Sequence, residues 1–213
     1  MPIYSGSNKI KEVYNGSQAI GYVYNGSQLV WQRNPYPIGT VLANTQTAGS
    51  VELFPGTYEL KVSGAGGKGA NAVGYWVLPN SSGGSGACWE GTFKLTSKKT
   101  MAWTTGTGIG ASVTVKIDNV NMLTAGGGGN ASASGTAATG GAGGTISVQS
   151  AFSSLIVSTS KSSNGTTGEA VMGGSWNVVT SVTSAPSTMG WGKGEHSKGG
   201  GRTDGGFYLK RVA

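Results

Sequence analysis

The sequence predicts an all-β protein: an N-terminal antiparallel meander, then a glycine-rich sandwich of short strands and polyglycine-II helices, with little or no α-helix. Three observations predict it. Forty of the 213 residues are glycine, against a usual share of roughly 7%, and each glycine costs about 1 kcal/mol in a helix interior. A ten-residue unit with an Asn-Gly turn repeats near the N-terminus. Short alternating runs separate the glycine tracts along the rest of the chain. Low charge (11%) and much Gly, Ser and Thr would also suit a disordered chain. Six Trp, eight Tyr and four Phe spread along the sequence argue for order instead.

The repeat opens the chain. Val13-Tyr14-Asn15-Gly16-Ser17-Gln18 recurs as Val23-Tyr24-Asn25-Gly26-Ser27-Gln28, and Ile3-Tyr4-Ser5-Gly6-Ser7-Asn8 is a looser copy. Asn-Gly favours a type I′ hairpin turn, with positive φ at both central residues. Strands are expected at 9–14, 19–24 and 29–32, with Ile10, Ile20 and Val30 aligned, and Tyr14 beside Tyr24. Three short strands bury little surface alone. Residues 1–34 are therefore expected to be a docking and attachment module, with Tyr14, Tyr24 and Trp31 as its contacts. Asn34-Pro35-Tyr36-Pro37 reads as a linker, because proline fixes φ and ends strand pairing.

Residues 35–213 form the second unit. Strands are expected at 40–42, 50–54, 57–62, 91–95, 112–117, 145–148, 155–157 and 206–212, by alternation and bounding turns. Between them lie Gly64-Ala65-Gly66-Gly67-Lys68-Gly69, Gly83-Gly84-Ser85-Gly86, Gly126-Gly127-Gly128-Gly129, Gly140-Gly141-Ala142-Gly143-Gly144 and Gly199-Gly200-Gly201. Runs interleaved with strands are not inter-domain linkers. As left-handed threefold helices they make no internal hydrogen bonds, so their N–H and C=O groups point outward to neighbours. Without Cβ atoms such helices approach closely, and a stack of them is rigid with little hydrophobic core.

Several chemistries are disfavoured. No run of about 20 apolar residues is present, so no membrane insertion is expected. Met1-Pro2-Ile3-Tyr4-Ser5-Gly6 has neither a basic nor an apolar leader segment, so no secretory signal is expected. The Asn-x-Ser/Thr matches at Asn15, Asn25, Asn80, Asn130 and Asn164 are then turns and loops rather than glycosylated sites. Cys88 is the single cysteine and His196 the single histidine, so neither a disulfide nor a metal site is expected, and no cofactor. Glu195-His196 falls between glycines on a poorly held loop, which disfavours a triad. The chain is expected not to be an enzyme.

If the glycine helices are scaffold, recognition falls to the large side chains between them: Tyr75, Trp76, Trp89, Trp103, Trp176 and Trp191. Such rings give large contact area at low entropic cost. Lys193, His196, Lys198 and Arg202 add a basic glycine-rich tip, and the formal net charge is +7, which suits an anionic surface. No nucleic-acid motif is present, so nucleic acid is not an expected partner.

Two segments resemble known families. Ile10-Lys11-Glu12-Val13-Tyr14-Asn15-Gly16-Ser17 and Tyr24-Asn25-Gly26-Ser27-Gln28-Leu29-Val30-Trp31 are similar to a Tyr-x-Gly-Ser repeat common in bacteriophage virion proteins. Pro55-Gly56-Thr57-Tyr58-Glu59-Leu60-Lys61-Val62 running into Gly64-Ala65-Gly66-Gly67, then Val113-Thr114-Val115-Lys116, Leu123 to Gly129, and Gly206-Phe207-Tyr208-Leu209, resembles glycine-rich bacteriophage tail-fibre tip adhesins. The resemblance implies layered polyglycine helices whose connecting loops contact a host cell-surface glycan or outer-surface protein. It implies other tail, fibre or baseplate proteins as partners of residues 1–34, a single tip copy or a homotrimer, and a place in the virion after synthesis in the host cytoplasm. The alternative is a structural baseplate or fibre connector without receptor contact. An ice-binding protein would need regular Thr or Ala faces. Gly173-Gly174-Ser175-Trp176-Asn177 with Gly206 to Leu209 looks like the end of a C-type-lectin-like domain, but that fold needs two helices upstream.

Overall fold

The computed structural model describes residues 4–213 apart from 6–7, 10–12, 16, 72–78, 135–136, 172–186 and 198–199. The first 33 residues make three successive antiparallel hairpins: β1 (Tyr4–Ser5) with β2 (Asn8–Lys9), β3 (Val13–Asn15) with β4 (Gln18–Ile20), and β5 (Tyr22–Asn25) with β6 (Gln28–Gln32). Each decapeptide is thus one hairpin. The expected run 19–24 is split at Gly21, and among the described residues no ladder joins one hairpin to the next. The turn also differs from the expectation. Asn25 pairs with Gln28, so Gly26-Ser27 is the loop, and of these only Gly26 has positive φ, at 60°. Glycine at the first central position marks a type II′ turn, so the asparagine ends the strand rather than turning it.

The body follows in order: β7 (Val41–Thr45), β8 (Gly49–Leu53), β9 (Gly56–Ser63), β10 (Ala70–Asn71), β11 (Asn80–Ser81), β12 (Cys88–Leu95), β13 (Lys99–Trp103), β14 (Val113–Ile117), β15 (Val120–Ala125), β16 (Ser132–Ser134), β17 (Ala137–Thr139), β18 (Ile146–Val148), the single-turn helix α1 (Ser150–Ser153), β19 (Ile156–Ser163), β20 (Ala170–Val171) and β21 (Gly206–Arg211). Ten strands form two five-stranded antiparallel sheets. Sheet I runs β19-β12-β9-β21-β7 and sheet II runs β18-β15-β14-β13-β8. Alternation decides which side is buried: Tyr58, Leu60 and Val62 of β9 face the same interior as Val113, Val115 and Ile117 of β14. The body therefore has a conventional apolar core between its sheets, and the expectation of little hydrophobic core is corrected.

The glycine tracts grow out of one end of this sandwich, where tight turns would otherwise stand. Residues 64–87 join β9 to its partner β12, 104–112 join β13 to β14, and 126–145 join β15 to β18. Six residues at about 3.1 Å rise give rods of about 19 Å. Rod 82–87 lies at the centre and is wholly buried. Its amides address three neighbours in rotation. Ser82 and Ser85 donate to Glu169 and Thr166, Gly83 and Gly86 to Glu195 and Gly192, and Gly84 and Ala87 to Gly129 and Gly126, at 2.8–3.0 Å. A three-residue period of outward bonds is what a threefold helix requires. In return, the carbonyls of Gly84 and Ala87 accept from Gly67 and Gly64, and those of Ser82 and Ser85 accept from Gly141 and Gly144.

Side chains complete the bonding where the backbone falls short. The hydroxyls of Ser82 and Ser85, three residues apart, accept from the amides of Glu169 and Thr166 at 2.9 and 2.7 Å. Two of the Asn-x-Ser/Thr asparagines act likewise, since Asn130 accepts from Lys68 N and Asn164 from Ile146 N, both at 2.9 Å.

The opposite end of the sandwich is closed by the segment expected to be a linker. Asn34 Nδ2 donates to Pro55 O at 3.1 Å and to Tyr58 Oη at 3.0 Å, Tyr36 Oη donates to Glu52 O at 2.9 Å, and Arg211 Nη1 donates to Tyr36 O. Tyr36 packs edge-on against Phe54. Residues 34–37 are a strap fastened to the body. Burial pushes the Tyr58 phenol up, and its bonds to Asn34 and Phe54 only partly offset this.

The β14–β15 hairpin lies at the same end. Asp118 and Asn119 both have positive φ (48° and 65°), the type I′ pattern. Asp118 accepts from Lys99 Nζ at 2.8 Å and from Thr100 N at 2.9 Å, and the lysine bond above all holds its carboxyl below the usual range. A lowered folded pKa stabilises above the unfolded value of about 3.9, and the gain is lost as pH falls through the folded value. Asp118→Asn, which tolerates the same turn, is expected to lower the melting temperature slightly at pH 7. The two proteins should converge in thermal melts as the pH falls through the lowered folded value.

Candidate functional site

The chain's connectivity defines two ends. At one end are the strap 34–37 and the C-terminal residues, and from it the hairpins depart. At the other are the far ends of the rods, capped by the small sheet β10-β11-β20 and the hairpin β16–β17. The segments 72–78, 172–186 and 198–199 join elements of the rod bundle. Tyr75, Trp76, Trp176 and Lys198 fall in them and lie outside the described residues.

The remaining aromatic candidates are corrected. Trp89 is 1% exposed, on the inner face of β12, edge-on to Phe152 with ring centroids 5.4 Å apart. Trp103 is 8% exposed, stacks on Phe207 at 4.0 Å, and donates from Nε1 to Thr47 O at 2.9 Å. Trp191 is 9% exposed and lies flat over Gly206, where a Cβ would strike its ring. All three are packing groups at the junction of sandwich and rods, not recognition groups.

The basic candidates divide. Lys193 is exposed, but on the flank of the bundle, next to Gly66, with its amide bonded to Thr203 Oγ1 at 2.8 Å. Arg202 is taken up internally. Its guanidinium pairs with Asp204 at 2.7 Å and donates to Gly108 O at 3.2 Å, tying two glycine segments together. His196 lies at the far end beside Gly69, and its Nδ1 is buried without a hydrogen-bond partner among the described residues. Glu195 is firmly held, contrary to the expected loose loop. Its amide donates to Gly67 O at 2.9 Å, and its carboxylate accepts from Gly69 N at 3.1 Å and Gly200 N at 3.0 Å. That carboxylate ties Gly200 to the end of rod 64–69.

Glu90 is a residue that sequence reasoning passed over. It is on the outer side of sheet I yet only 4% exposed, because Thr188 covers it and donates from N at 2.7 Å and from Oγ1 at 2.9 Å. The bond returns the chain from the far end to the sandwich before rod 191–196 begins. The pairing spans 98 residues, and no local pattern signals it.

The carboxylates of the body share one property. Glu52, Glu59 and Asp118 pair with Lys98, Lys61 and Lys99. Glu90, Glu195 and Asp204 are engaged as described, and Glu169 has a partner. The acidic groups are spent inside the chain. Lys68, Lys94, Lys116, Lys161, Lys193 and Lys210 have no ion pair among the described residues. The surplus offered to solvent is cationic.

Of the attachment residues, Tyr24 is 57% exposed and its ring lies 6.4 Å from that of Tyr22 on the same strand face. Tyr14 and Trp31 occupy β3 and β6, opposite Ala19 and Val23.

Among the described residues no three His, Cys, Asp or Glu side chains gather as a ligand set, and no helix is long and apolar enough to cross a membrane. No family model, no curated protein and no solved structure matches the chain.

Proposed function

We propose that the chain is a non-catalytic receptor-binding adhesin of a bacteriophage tail or tail fibre, recognising a glycan or protein on the host cell surface. The observation that carries this is the polarity of the body. The strap and the repeat-bearing hairpins leave one end, and braced rods carry the small sheet β10-β11-β20 and the hairpin β16–β17 at the other. Rigid scaffolds carrying variable loops are a general arrangement for binding. Residues 1–34 would attach the protein to other tail, fibre or baseplate proteins of the virion. Tyr75, Trp76 and Trp176 remain the proposed aromatic contacts, and His196 and Lys198 the proposed basic ones.

The test is binding of the labelled full chain to a panel of bacterial cells. Staining of particular strains is expected, lost in Trp76→Ala/Trp176→Ala with unchanged melting. Burial of Trp89, Trp103 and Trp191 favours the second reading, a structural connector of the virion. That reading gains if no strain is stained and the protein occupies an interior position in the particle.

A further inference from the structure

Sheet I turns one face to the core and the other outward, and the outward face is where the unpaired lysines collect. Along β12 the outward positions are Glu90, Thr92 and Lys94, since Trp89, Phe93 and Leu95 point inward. Register places Lys161 of β19 and Lys61 of β9 opposite Glu90, and Lys210 of β21 opposite Glu59. Lys61 is occupied: it pairs with Glu59 at 3.5 Å and lies 5.6 Å from the Tyr208 ring centroid. Glu90 is covered by Thr188. That leaves Lys94 of β12, Lys161 of β19 and Lys210 of β21 as ammonium groups without an ion pair among the described residues. Strand spacing of about 4.8 Å and a rise of about 3.4 Å put them within a patch about 15 Å on a side. Hydroxyls fill the space between, with Thr92 Oγ1 and Ser158 Oγ 2.7 Å apart.

We infer that this outer face of sheet I is a docking surface for an anionic polysaccharide, lying side-on and separate from the far ends of the rods. Charge complementarity selects the occupant. Three outward cations with no ion pair among the described residues attract a polyanion, and a polymer carrying many charges can contact all three at once. The hydroxyl-lined face matches a sugar chain. A single-stranded nucleic acid would need exposed rings on which to stack its bases, and the ring on this face, Tyr208, is already taken by the Lys61 ammonium.

The experiment uses the full chain on immobilised dextran sulfate, with uncharged dextran and single-stranded DNA as comparison probes. Binding to dextran sulfate, weakened by added salt, is expected, and none to dextran. K94Q/K161Q/K210Q should weaken it about tenfold or more, because each lost contact also forfeits counterion release. K68Q/K116Q/K193Q removes the same charge elsewhere and should leave affinity within about threefold. Lys68, Lys94 and Lys193 are exposed and Lys116, Lys161 and Lys210 half-buried on outward strand faces, so both variants should melt within a few degrees of the parent. Equal weakening by the two triple variants would reduce the effect to net charge and overturn the inference. So would tighter binding to single-stranded DNA, or no binding to dextran sulfate.

Discussion

Gly84→Ala is expected to destabilise the protein by about 3 kcal/mol or more, at the upper end of what overpacking costs. A Cβ at this position would fall inside the carbonyl oxygen of Ala142, well within van der Waals contact. The obstacle is backbone of an adjoining rod, so no side chain can rotate away. Gly84 also donates to Gly129 and accepts from Gly67, so a shift large enough to admit the methyl breaks bonds to two further rods. Cα–H···O contacts of this kind are individually weak, but they recur: a Cβ at Gly66, Gly67, Gly83, Gly86 or Gly128 would meet a carbonyl of another rod in the same way. Gly21→Ala is the control. Nothing lies within 4 Å of its Cβ position, so its effect should stay within about 0.5 kcal/mol. Urea unfolding of both variants separates a close-packed rod from a flexible glycine tract, in which the two substitutions would cost the same.

Trp89→Ala is expected to cost about 3–5 kcal/mol, the range for deleting a large ring from a closed core. The indole packs on Phe152 and covers Gly91, where a Cβ would meet its ring at 2.8 Å. Its loss leaves a cavity between the sheets that β12, paired on both sides, cannot collapse to fill. Denaturant unfolding measures the deficit. Cell binding by the variant should fall only in proportion to the unfolded fraction. A Trp89→Ala protein that melts normally and fails to bind would place this ring in a recognition surface and contradict the packing.

The strands with strict alternation were legible: Thr57–Val62, Val113–Ile117 and Phe207–Leu209 all lie within observed strands. The glycine tracts were legible as scaffold from their interleaving with strands. The roles of the tryptophans were not. Trp89, Trp103 and Trp191 stand where strand passes into rod, each near glycine or threonine, and such flanks resemble a loop. Their burial depends on the partner sheet and on Gly206, which local sequence does not report. β13 is absent from the expected strands because its polar start, Lys99-Thr100, masks the inward alternation of Met101 and Trp103. β19 was legible only at its first residues, because its outward Ser, Thr and Lys residues look like a linker. The serines at 82 and 85 carried a usable signal, a hydroxyl every third residue in register with a threefold helix. The Glu90–Thr188 latch had none.

The central claim is that the glycine tracts are hydrogen-bonded rods packed around residues 82–87. Native-state hydrogen exchange at the amides of Ser82, Gly83, Gly84, Ser85 and Gly86 tests it most directly. Each donates to a different point on a surrounding rod, so all five should exchange as slowly as the core amides of β9 and β12, limited by global unfolding. Exchange at the rate of an unstructured peptide, while β9 and β12 remain protected, would contradict it.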